Sequence, residues 1–122
     1  ELNNALGKKD VSLVFRIVEY FAANPKNVAG PVVIGSLTNF FSRVWITQEN
    51  QSMRDQELAG LLNMKSAYFI RDYRQAARNY PRSKLIQIFS LIEEYDLRIK
   101  GVDNRSFNNG ELYKELVFKI LY

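Results

Sequence analysis

The stretch Tyr68-Phe69-Ile70-Arg71-Asp72-Tyr73-Arg74-Gln75-Ala76-Ala77-Arg78-Asn79-Tyr80 decides the fold class. At about 100° per residue, Phe69, Ile70, Tyr73, Ala76, Ala77 and Tyr80 project to one side and Arg71, Arg74 and Arg78 to the other. The spacing predicts a helix with a packed back and a cationic front. Such a front suits an acidic protein surface, a nucleic-acid backbone or water, and which of these it meets bears directly on function.

Outward from that segment, helical spacing continues in both directions and no stretch reads as strand. Residues 2–7 form a short first helix that ends at Gly7. Asp10 is placed to cap a second helix that stops at Asn24-Pro25. Val11, Val14, Phe15, Val18, Phe21 and Ala22 make one stripe on that helix, and Leu13, Ile17 and Tyr20 make another almost opposite. A helix so apolar around its circumference must be covered from two directions, so it is either central in the domain or forms an interface with another chain, with Leu13, Ile17 and Tyr20 as the candidates for that interface.

Pro31 suits the first turn of a third helix running to about Glu49, with Val33, Leu37, Phe40, Phe41 and Val44 on its buried face. Ile34 and Trp45 lie at the margin of that face, and Val32 and Ile46 lie off it. A short helix near Gln56–Leu62 and a turn follow, with Ser66 capping the arginine-faced helix. Tyr80-Pro81 separates that helix from the next, which runs from Arg82 to Lys100 through Leu85, Ile88, Phe89, Leu91, Ile92, Tyr95 and Ile99 and stops at Gly101. A polar turn spans 102–109. Gly110–Tyr122 is helical again through Leu112, Leu116, Val117, Ile120 and Leu121. The expectation is a single all-α bundle of six or seven helices, 1–122, excised from a longer polypeptide because the chain opens on Glu1 and not Met.

Composition narrows the chemistry. A chain of 122 residues is one domain in size, and its apolar fraction of 47% excludes disorder over most of its length. The absence of Cys and His removes disulfides, thiol nucleophiles, imidazole bases and the usual zinc sites. No apolar run reaches the ~20 residues of a membrane span. The net charge is +4, but the window Lys65–Lys84 alone carries Lys65, Arg71, Arg74, Arg78, Arg82 and Lys84 against the single acid Asp72. The remainder of the chain is therefore slightly negative, and the charge is patterned.

No catalytic constellation assembles from these residues. Asp96 projects between Leu85 and Phe89 within an apolar stripe, where a carboxylate is paired or shifted in pKa; Lys100 lies one turn on. It reads either as a general acid or base or as a structural hydrogen-bonded carboxylate, and no second group converges on it by spacing. The glycines form no phosphate-cradling loop, so no nucleotide or other cofactor is expected. Glu57 to Ser66 followed by the arginine helix imitates a helix-turn-helix, with Arg71, Arg74, Arg78 and Arg82 as candidate contacts to phosphate or to an acidic partner. Arginine at three frontal positions suits backbone phosphates better than base edges.

Several segments together resemble the C-terminal domain of the delta subunit of the bacterial DNA polymerase III clamp loader. They are Phe69, the Tyr73–Ala77 turn with Arg78, Asn79 and Tyr80, and Leu85, Leu91-Ile92 and Tyr95-Asp96-Leu97-Arg98-Ile99-Lys100-Gly101. The final Glu111-Leu112-Tyr113-Lys114-Glu115-Leu116 and the opening Glu1 to Asp10 add to it. Asn63 departs from the pattern, standing where Gly is common. The resemblance implies a helical collar domain in the bacterial cytoplasm that neither binds nucleotide nor opens the sliding clamp. Its implied partners are delta prime and the motor subunits, with primer–template DNA reached through the whole assembly, and with no membrane and no small-molecule substrate. The alternative is a helical DNA-binding module that contacts the nucleic-acid backbone through its arginine-faced helix.

Overall fold

Leu6 and Tyr80, far apart in the chain, meet in the middle of the fold. The computed structural model describes residues 1–101 and 109–122. Its α-helices are α1 (Leu2–Gly7), α2 (Val11–Ala23), α3 (Gly30–Glu49), α4 (Asp55–Leu61), α5 (Ile70–Asn79), α6 (Arg82–Ile99) and α7 (Asn109–Leu121). Two 3-10 turns, Pro25–Asn27 and Ala67–Phe69, complete the regular structure, and no strand occurs among the described residues. The architecture is the all-α bundle expected. The polar turn expected at 102–109 lies outside the described residues except for Asn109, which opens α7.

Local chemistry sets the boundaries. The Asp10 carboxylate accepts from the Leu13 N–H at 3.2 Å and starts α2. The same residue finishes α1, because its own N–H donates to the Ala5 carbonyl while the Lys9 N–H donates to Leu6. That pair of bonds is a Schellman turn, and Lys9 takes the left-handed φ of 54° that it requires. The same device ends α4: Met64 N–H donates to Ala59, Asn63 N–H to Gly60, and Asn63 has a φ of 57°. Asparagine tolerates this conformation, so its place where Gly is common causes little strain. Gly101, at φ 82°, ends α6.

α3 is the axis of the bundle, packed on α5 and α6, while α7 fills between α2 and α6 and α1 crosses α5. Gly7 permits that crossing, since a Cβ there would sit 3.0 Å from the Phe40 ring and 3.3 Å from the Ala76 methyl. The main core gathers Leu6, Val14, Val18, Leu37, Phe41, Val44, Leu85, Ile88, Tyr95, Leu112, Leu116 and Ile120. Leu58, Ala59, Leu62 and Ile70 form a second, separate cluster beside it.

One local expectation changes. Phe69 is 52% exposed and does not share the packed back of α5. It lies in the 3-10 turn before the helix, where the α-helical projection does not apply; Ser66 caps that turn, accepting from the Tyr68 N–H at 3.1 Å. Thr47 is buried within α3 although polar, because its hydroxyl donates to the Arg43 carbonyl at 2.7 Å.

Tyr80 is fully buried, and its hydroxyl donates to the Leu6 carbonyl at 2.5 Å. Its ring meets Phe41 edge-on at 5.5 Å, and Lys9 Nζ lies 4.8 Å from the ring centroid. Burial holds its phenol well above the ordinary tyrosine range. Because the folded state favours the neutral phenol, its stabilising contribution is complete below about pH 10, where the unfolded phenol titrates, and is lost as pH rises beyond that. Tyr80→Phe is expected to lower unfolding stability by about 1 kcal/mol in urea titrations at neutral pH. It should also make the alkaline decline above about pH 10 shallower. A decline as steep as that of the parent would show that other groups cause it.

Candidate interaction surfaces

Two stretches of α3, residues 32–36 near its start and 42–46 towards its end, each border an apolar groove. At the first, Leu2, Ile17, Phe21 and Val33 form the wall of a groove of about 350 Å³ whose exposed margin is Tyr20 and Val32. Tyr20 is 57% exposed and Val32 69%. At the second, Ser42, Trp45 and Ile46 of α3 face Ile86 and Phe89 of α6 across a groove of about 300 Å³. Trp45 is held by the edge of Phe89 at 6.2 Å and by the Arg82 guanidinium at 4.7 Å from its centroid.

The three residues proposed from sequence for an interface therefore differ in kind. Tyr20 is open to solvent. Ile17 is buried and forms part of the groove wall, and Leu13 is half-buried against the main core. They do not form a second free stripe, because α1 and α7 both pack on α2. Val32, Ile46 and Ile86 are among the groove residues not nominated from sequence. The signal for the first two is their position off the α3 stripe.

The arginine front is broken up by intramolecular partners. Arg74 donates through Nε to Asp55 at 2.8 Å, through Nη2 to the Met53 carbonyl at 2.6 Å and through Nη1 to the Gln51 carbonyl at 3.4 Å. Its side chain is only 23% exposed. Arg82 pairs with Glu49 while lying over Trp45. Arg71 sits over the Tyr68 ring at 4.7 Å and donates to its hydroxyl at 3.0 Å. Arg78 is exposed and has no acidic partner among the described residues; with Arg74, Thr47, Gln51 and Ala77 it lines a shallow polar groove. Of the four candidate arginines, Arg78 is thus an open cation, Arg71 is stacked on a tyrosine, and Arg74 and Arg82 are in ion pairs.

Asp96 is neither sealed in the core nor unpaired. Its side chain is 29% exposed and accepts from Lys100 Nζ at 3.0 Å, one helical turn away. Around Tyr95 the polar groups are denser: its hydroxyl donates to Glu115 at 2.8 Å, and Arg98 and Lys119 lie 4.9 and 5.2 Å from its ring centroid. The Tyr95 side chain beside it, together with Glu94 and Glu115, holds the Lys119 ammonium above the usual lysine range, while the Lys114 ammonium is raised by Glu19 and Glu111. Lys84 is shifted the other way, by burial and then by Lys9, and its Nζ donates to the Lys119 carbonyl at 2.8 Å near the end of α7. The Tyr113 hydroxyl is buried with no partner among the described residues, and burial raises its pKa.

Among the described residues no group of three or more acidic side chains gathers as a metal site, and no helix is long and apolar enough to cross a membrane. Since the Asp96–Lys100 pair is partly solvated, Asp96→Ala is expected to cost at most about 1 kcal/mol in thermal or urea unfolding. A loss of about 3 kcal/mol or more would place the carboxylate in a buried network instead. No protein-family model, curated protein or solved structure matches this chain.

Proposed function

We propose that this domain is a non-catalytic assembly module that packs against sibling subunits, in the manner of the clamp-loader collar domain its sequence resembles. The supporting observation is the groove at Tyr20 and Val32, where large apolar side chains stand in solvent beside an apolar wall of about 350 Å³. A member of a ring needs two separate contact surfaces, and the two grooves border different stretches of α3, residues 32–36 and 42–46. On this reading the partners are delta prime and the motor subunits of DNA polymerase III, and the task is to hold this subunit in the collar during clamp loading in DNA replication. The rival reading, DNA-backbone contact through the arginine helix, has fewer free cations than the sequence offers, since Arg74 and Arg82 are engaged within the chain.

Mixing the domain with the collar domains of those subunits should yield a larger species by light scattering. Tyr20→Glu and Val32→Glu, both at exposed positions, should each weaken that association about tenfold, or 1.4 kcal/mol. A parent domain that stays monomeric in the mixture at tens of micromolar would reject the assembly role. Association unaffected by either substitution would reject this groove as the contact.

A further inference from the structure

The second apolar cluster differs from the main core in size and in attachment. It rests on four buried side chains, Leu58 and Ala59 of α4, Leu62 just after it and Ile70 of α5. α4 and the Ala67–Phe69 turn pack chiefly on each other and on the beginning of α5. Much of the segment's remaining apolar surface, at Leu61, Tyr68 and Phe69, faces solvent. Little burial therefore attaches residues 51–69 to the bundle, which is the property of a segment that opens below the global unfolding free energy.

Polar bonds concentrate where burial is thin. Arg74, in the middle of α5, reaches across to the ion pair with Asp55 and to the carbonyls of Met53 and Gln51. One guanidinium thus holds the start of α4 and the chain leading into it. The Glu57 carboxylate accepts from Arg54 Nε at 2.9 Å, a bond internal to the segment that does not fasten it to the bundle.

We propose that residues 51–69 are a flap, latched by Arg74, that opens as a unit while the main core stays folded. The turn after α3 and the junction with α5 at Ile70 are its two hinges. Opening removes cover from Ile46, whose side chain packs against the flap cluster and also lines the α3–α6 groove. The groove therefore lengthens when the flap lifts. Arg74 acts on this equilibrium as a positioning residue, and the device is independent of the assembly reading.

Hydrogen exchange on the whole domain tests it. The Leu58, Leu62 and Met64 amides, bonded within the segment to Arg54, Leu58 and Ala59, report opening because a seven-residue helix parted from the bundle is too short to keep these bonds. In the parent they are expected to exchange through an opening that leaves the amides of α6 and α7 protected. Arg74→Gln should accelerate them at least tenfold with α6 and α7 unchanged. Asp55→Asn, which breaks the ion pair from the flap side and leaves the carbonyl bonds, should accelerate the same amides by a smaller factor. Unchanged flap amides in both variants, or equal acceleration through α2, α3, α6 and α7, would overturn the latch.

Discussion

The Leu6 carbonyl accepts two hydrogen bonds, one from the Lys9 N–H at 3.0 Å and one from the Tyr80 hydroxyl at 2.5 Å. The first closes the turn between α1 and α2; the second ties that turn to the end of α5. Gln48 of α3 adds a third tie, donating to the carbonyls of Ala77 at 3.0 Å and Tyr80 at 2.7 Å, and Asn79 donates to the Gly7 carbonyl at 2.8 Å. Helix ends leave carbonyls without intrahelical partners, and here two such ends are buried together. The bundle closes because side chains from neighbouring helices supply the missing donors. The positions of α1 and α5 against α3 follow from this cluster.

Tyrosine suits that position for a physical reason. Its ring contributes apolar burial and an edge-on contact with Phe41, while the hydroxyl reaches a carbonyl that a phenylalanine would leave with one bond fewer. Lys9 benefits from the same ring, since its left-handed backbone brings the ammonium over the aromatic face. Cation, ring and carbonyl form one connected unit at the start of the chain.

Much of the fold was legible in the sequence because helices report themselves through stripes. The α2, α3 and α6 boundaries follow from Asp10, Pro31, Pro81 and Gly101, whose preferences are local. The site was less legible, because exposure and pairing depend on what other helices bring. Helical spacing puts Arg71, Arg74 and Arg78 on one face, yet cannot foresee that Asp55 arrives beside Arg74. Leu13 and Ile17 show the same limit: the apolar second stripe of α2 is real, but α1 and α7 use most of it and leave Tyr20 as the open part. Phe69 failed for a narrower reason, since two residues in a 3-10 turn precede the helix on which it was projected.

The redistribution of the arginines bears on how the surface divides its work. A guanidinium bound to a carboxylate and two carbonyls has few N–H groups left for a ligand. Arg74 therefore stabilises the fold locally, and Arg82 orients Trp45 at the margin of a groove while its charge is met by Glu49. Positive charge concentrated in one stretch of sequence is then not equivalent to a cationic surface. Beside the open Arg78, large apolar side chains stand exposed at Tyr20, Val32 and Ile86, where the two grooves border α3. Exposed apolar side chains at a groove are suited to recognition by shape and apolar burial, whereas a guanidinium already paired within the chain adds little long-range attraction.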